Sequence, residues 1–239
     1  MKRILSLVRK AVEDYDMIED GDRIAVGVSG GKDSLTLLRA LKALQRFYPK
    51  KFELEAITLS MGFDNFDLSG VRKMCEELGI TYTVKPTNIA EVIFDIRKET
   101  NPCSLCAKMR RGALHDVALE LGCKKVALGH HHDDVIETFF LSLFFEGRIN
   151  CFSPVTYLDR KGIYLIRPMI YVPEKEIKGF SRRMELPVAF NPCPANGNTK
   201  RQYIKDLLKN LNRENKGLKD RLFGAIQRSE IDGWKLERD

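Results

Sequence analysis

"VGVSGGKDSLTLL", Val26 to Leu38, is the stretch that decides the fold. An apolar run, Arg23 to Ser29, ends in glycine and serine, and Leu35, Leu37, Leu38, Leu41 and Leu44 then follow at helical spacing. The pattern predicts a strand, a tight glycine turn and a helix. In such a turn successive glycines let backbone N–H groups face an anion, and the helix N-terminus adds partial positive charge. Ser29 and Ser34 add hydroxyls. This is phosphate-cradle chemistry, but it is not a Walker A loop: Val26 stands where the first glycine would be, and Asp33 follows Lys32.

The alternation extends outward in both directions. Ile4, Leu5, Val8, Val12 and Tyr15 mark an amphipathic leading helix within Met1 to Met17. Downstream, "FELEAITLS" reads as a strand, Leu68 to Leu78 as a helix and "TYTVKPT" as a strand. A helix over Cys103 to Leu121, the strand "KKVALGH" and a helix over Asp133 to Phe145 complete the series. Such alternation predicts an α/β fold, a doubly wound, Rossmann-like parallel sheet with helices on both faces. Ligands of these sheets sit at the carboxyl ends of the strands, where "SGGKDS", "LSMGFD" and "GHHHDD" would converge. "ETFFLSLFF" reads as core-facing. From Asn150 to Pro168 the pattern weakens to a loop and the short strand "GIYLIRP", and after "NPCPANGNT" the chain becomes helical and basic. This divides it into 1–190 and a C-terminal segment, 191–239.

The 239 residues, 44% hydrophobic and 31% charged, suffice for one ordinary core. Apolar runs are too short to span a bilayer and the first 25 residues alternate charge with hydrophobe, so the expected location is cytoplasmic, without membrane contact. The net charge of +7 is concentrated late: from Lys200 to Arg228 nine Lys and Arg face three acids. That is either a solvated helix face or a polyanion site.

Six cysteines in a reducing compartment argue for metal or catalysis over disulfides. Cys103 and Cys106 follow Asn101-Pro102, a helix-start signature, so the first thiol, Cys103, lies near a helix N-terminus that favours its thiolate, and the two at i and i+3 share one helix face. Only Cys193, in a second Asn-Pro-Cys, offers itself as a third partner; Cys75 and Cys123 read as packing thiols, and Cys151 is unassigned. An iron–sulfur cluster with one open iron, a zinc site and a redox pair all remain open. The run His130, His131, His132 cannot aim at one ion from adjacent positions, and Asp133 with Asp134 suits helix capping as well as catalysis.

The hexapeptide Ser29 to Ser34 resembles the PP-loop of the N-type ATP pyrophosphatases. The order SGGKDS, CSLCAKMRRG, GHHHDD and a third cysteine before NGNTKRQYIKDLL, over Val26 to Leu211, resembles the TtcA-type tRNA 2-thiocytidine synthetase family. The resemblance implies a PP-loop ATPase fold in which Ser29, Gly30, Gly31, Lys32, Asp33 and Ser34 hold ATP phosphates and Asp33 supports Mg2+. It places Leu59, Ser60 and Met61 against adenine and ribose, brings Gly129 and His130 to the nucleotide, and gives Asp133 and Asp134 to magnesium or the leaving pyrophosphate. Cys103, Cys106 and Cys193 would ligate a 4Fe–4S cluster, with zinc as the alternative. Arg110, Arg111, Lys200, Arg201, Tyr203 and Lys205 would meet tRNA. The implied activity is ATP-dependent replacement of the C2 oxygen of a tRNA cytidine, at position 32, by sulfur carried on the cluster. A sulfur donor such as a cysteine desulfurase is implied, and a homodimer is left open. Alternatives are a 2-thiouridine-forming thiolase, a tRNA lysidine synthetase, and a metal-bearing RNA-binding protein with a vestigial ATP site.

Overall fold

The computed structural model describes residues 1–63, 66–97, 102–190, 193, 200–231 and 233–234. Asn101, the loop residues around Cys193 and Asp64 of the second strand's loop lie outside the described residues. The leading helix α1 spans Lys2–Asp14 and buries Ile4, Val8, Ala11 and Val12, its one apolar stripe. Strand β1, Asp22–Gly27, buries Ile24, Ala25 and Val26 in succession, as a central parallel strand covered on both faces must. Helix α2, Lys32–Leu44, follows at once. Then come β2 (Phe52–Ser60), α3 (Ser69–Glu77), β3 (Thr81–Pro86), α4 (Pro102–Glu120) and β4 (Lys125–Ala127). Helix α5, His132–Leu141, widens into a π-helical turn, Ser142–Glu146, that ends at left-handed Gly147.

The sheet order is β3-β2-β1-β4, continued by β6 (Ile163–Ile166) and β5 (Val155–Leu158). All pairings are parallel except β5 with β6. The expected parallel sheet is thus present, with a hairpin at one edge whose first strand sequence reading treats as loop. That hairpin turns at Asp159–Gly162, where the N–H groups of Lys161 and Gly162 both donate to the Leu158 carbonyl and Gly162 takes positive φ. A helix over Glu174–Arg183, α6, is also absent from the sequence expectation. A π-helical turn over Glu91–Ile96 is a further addition.

From β1 the chain builds β2 and β3 on one side, then crosses through α4 to β4 on the other. This is the topological switch point, and the crevice outside the ends of β1 and β4 is where such a sheet takes its ligand. One face of the sheet carries α4, with Leu114, Val117 and Ala118 against Ala25, Ile57, Val126 and Leu165. The other carries the larger core, which also takes in the C-terminal helices α7 (Lys200–Glu214) and α8 (Leu218–Arg228) through Ile204, Leu208, Phe223 and Ile226. Among the described residues no helix is long and apolar enough to cross a membrane.

Candidate active site

The turn from β1 into α2 is knitted by its own hydroxyls. Ser34 Oγ donates to the Gly31 carbonyl at 2.9 Å, and the N–H groups of Ser29 and Gly31 donate to Ser34 Oγ and Ser29 Oγ at 3.1 and 3.4 Å. No side chain caps α2 at Gly31, so the positive end of the helix faces the crevice. Gly30 needs to be glycine twice over: its φ is +78°, and a Cβ there would stand 2.9 Å from that of Ala189, whose N–H donates to the Gly30 carbonyl.

In front of this loop lies a cavity of about 370 Å³. Its walls carry Lys32 and Asp33 from the loop, Met61 from the end of β2, and Cys103, Cys106 and Arg110 from α4. His131 at the cap of α5, Asp134 and Glu137 from α5, Glu174 from α6, Cys193, and Arg201 and Lys205 from α7 line it as well. Three segments far apart in sequence thus bring all three expected cysteine ligands and the loop lysine to one space. Burial pushes the Cys106 thiol up; Arg110 opposes this, and the neighbouring Cys193 and Cys103 add to it. Among the described residues no three His, Cys, Asp or Glu side chains gather at metal-ligating spacing; the thiols stand around the cavity, not at a point.

Charge on the walls alternates. Lys32 Nζ lies 2.9 Å from Asp33 Oδ2 and 3.4 Å from Glu174 Oε1. Glu174 also pairs with Lys205 at 2.8 Å and Lys178 at 3.0 Å. Burial raises its carboxyl, but Lys205 and Lys178 overrule this and hold it down at about 2. Arg201 reaches Asp134 and Glu137, each at 3.4 Å. Glu137 is raised by burial and by Asp134, and its Oε1 is sealed without a hydrogen-bond partner among the described residues. Sequence reading misses both Glu137 and Glu174: Glu137 opens a stretch that reads as core-facing hydrophobe, and Glu174 lies in a charged stretch with no motif to mark it.

His131, not His130, faces the site. Its backbone N–H donates to Asp134 Oδ2, and its Nδ1 accepts the Asp134 N–H, forming a reciprocal cap on α5. Nε2 is thereby left 3.7 Å from Asp33 and 3.4 Å from Asp134. His130 does not line the cavity; its ring lies on Phe152 at 4.7 Å. Asp133 likewise turns away: its oxygens take the Glu174 N–H at 2.8 Å and Lys219 at 2.7 Å, tying α5 to α6 and α8. This is a structural task, because both oxygens are already committed. Gly129 touches the loop itself, where a Cβ would stand 3.1 Å from Ser34 N. Leu59 packs under α4, and the Ser60 carbonyl accepts from Thr87, so of the β2 trio only Met61 lines the cavity. Arg201 and Lys205, expected at tRNA, are cavity walls, as is Arg110, while Arg111, Lys200 and Tyr203 are exposed outside it.

Residues 2–211 match the PP-loop domain family. Curated tRNA-cytidine(32) 2-sulfurtransferases from Citrifermentans bemidjiense and Geobacter metallireducens are 40% and 41% identical to this chain, with 94% of it and 89% of each relative aligned. Among solved structures, the U34-tRNA thiolase NcsA from Methanococcus maripaludis with its 4Fe–4S cluster superposes with a TM-score of 0.76 at 27% identity. That match covers 93% of this chain and 77% of NcsA. An NH3-dependent NAD synthetase from Campylobacter jejuni, 16% identical, shares the fold at a TM-score of 0.54, with 95% and 91% covered. Because the likeness to the sulfurtransferases runs through the loop, the cysteine helix and the acid-lined helix that build this cavity, the chain belongs to the PP-loop domain family and, within it, to the tRNA-cytidine(32) 2-sulfurtransferases.

Proposed function

We propose that this protein uses ATP to activate the C2 carbonyl of cytidine 32 in a tRNA and replaces that oxygen with sulfur. The observation that carries the reading is that the PP-loop lysine and all three cysteines Cys103, Cys106 and Cys193 open onto one cavity. Lysine attachment to tRNA would need the loop but not the thiols, and a metal-bearing RNA-binding protein would need the thiols but not the loop lysine.

In the first step cytidine O2 attacks the α-phosphorus, the new P–O bond forms and pyrophosphate leaves. The open N-terminus of α2 and the hydroxyls of Ser29 and Ser34 receive the phosphates. Lys32 moves from Asp33 and Glu174 onto the negative charge that develops on the leaving group. Mg2+ accompanying ATP would be held by Asp33 and Asp134, which His131 keeps facing each other. In the second step a sulfur nucleophile attacks C2, the C–S bond forms, the C–O bond breaks and AMP carries the oxygen away. Arg110, Arg201 and Lys205 balance the phosphate charge throughout.

The three thiols fit a 4Fe–4S cluster in donor type, and all three open onto one cavity. When bound, a cluster held by three cysteines supplies an iron with an open position for sulfur. The immediate sulfur source would be a donor such as a cysteine desulfurase, and the reading places the protein with its tRNA in the cytoplasm.

Anaerobically purified protein is expected to carry iron and sulfide and to form 2-thiocytidine in tRNA with release of AMP, read by nucleoside mass spectrometry. Cys193→Ser should keep ATP binding while losing iron and at least about a hundredfold in thiolation. Stoichiometric zinc without iron would overturn the cluster, and 2-thiouridine as product would favour the uridine reaction named for NcsA.

A further inference from the structure

The segment that reads as core-facing in sequence does not stay in the core. Past Leu141 the π-helical turn swings Leu143, Phe144 and Phe145 outward; Phe145 is 42% exposed, and Ile149, beyond left-handed Gly147, is 74% exposed. Helix α7 brings Tyr203, itself 60% exposed, edge-on to Phe145 with ring centroids 6.3 Å apart. The Lys200 ammonium sits 4.8 Å from the centroid of the Phe145 ring. The patch begins at the rim of the active site, since Arg201, between Lys200 and Tyr203 in the same turn, lines the cavity.

We propose that Phe145, Tyr203 and Lys200 form a stacking platform for an unpaired nucleobase of the RNA loop that holds the target cytidine. This rests on the tRNA reading above and names the surface that receives the substrate. Exposed aromatic rings interleaved with cations are the chemistry of single-stranded nucleic-acid binding: the rings take base faces in any sequence, and the cations take phosphates. The surroundings have the matching sign, with Arg148 exposed nearby and nine Lys and Arg against three acids from Lys200 to Arg228. A second copy of the chain is a poorer occupant. Two-fold contact through this face would bring Lys200 and Arg148 of one copy toward the same cations of the other. A base stacked beside the cavity also stabilises the neighbouring cytidine in the unstacked state it needs to enter.

The test uses an anticodon stem-loop RNA with 2-aminopurine next to the target cytidine, titrated with wild-type protein, Tyr203→Ala and Phe145→Leu. Wild type should quench the fluorophore. Each variant should lose most of the quench and roughly 5- to 50-fold in affinity, with an unchanged slope of affinity against salt. Lys200→Ala should instead lower that slope by about one. Tyr203 is exposed enough for its variant to fold even if Phe145→Leu does not. Wild-type quenching and affinity in Tyr203→Ala and in any folded Phe145→Leu would overturn the platform. So would a change of oligomeric state by light scattering with RNA binding intact, which would make this face a self-interface. If the wild type neither binds nor thiolates tRNA, the function itself fails; if it does both and the variants match it, only the platform fails.

Discussion

His131 caps α5 through Nδ1 and thereby holds Nε2 between Asp33 and Asp134, while its neighbour His130 is pressed on Phe152 with Nδ1 sealed from solvent. Adjacent residues at a strand end point opposite ways, so only one of three consecutive histidines reaches the cavity. Burial, with Arg167 second, lowers the His130 imidazole from 6.5 to about 4. Its folded state favours the neutral ring, so the stability linked to His130 is present above about pH 6.5 and is lost as pH falls through 4. His130→Gln should therefore flatten the fall of melting temperature between pH 6.5 and 4. Parallel curves for the variant and the wild type would show that the ring is not the titrating group.

At the scale of elements, the start of α2 is held from two sides. Ala189 lies against Gly30, and a Cβ at Gly129, just past the end of β4, would stand 3.2 and 3.1 Å from the backbone of Asp33 and Ser34. These neighbours are backbone, which cannot swing aside as a side-chain end would. Gly129→Ala should push the first turn of α2 out of line, costing about 1–3 kcal/mol in stability and about tenfold in ATP affinity. Denaturant melts and calorimetric titration with a non-hydrolysable ATP analogue measure both; unchanged nucleotide affinity would show that the loop adjusts independently of β4. The glycine is visible in sequence, but the element it touches is not, because β4 and α2 lie some ninety positions apart and meet only through the sheet.

Over the whole molecule, the basic C-terminal segment is part of the main core. Trp234 is fully buried, donates from Nε1 to the Phe152 carbonyl at 3.0 Å, and meets Tyr15 of the leading region and Phe223 of α8 edge to face. Lys219 from α8 and Arg201 and Lys205 from α7 supply cations to α5 and α6. Trp234→Ala should destabilise the entire protein by about 3–5 kcal/mol, with fluorescence and circular dichroism reporting one shared transition. Separate transitions would mean that the C-terminal helices unfold on their own.

The strand–loop–helix at Val26 to Leu38, the alternation around it and the Cys103/Cys106 pair could be read from the chain itself, because glycine turns, periodicity and the spacing of two thiols on one helix are local properties. Tertiary structure alone decided that Asp133 ties helices together, that Glu137 and Glu174 line the cavity, and that Arg201 and Lys205 face inward. It also decided that Phe145 faces out, since a widened helical turn redirects side chains without altering the apolar pattern. Composition predicts whether a side chain prefers burial or water. Which neighbour it meets depends on where the sheet returns the chain.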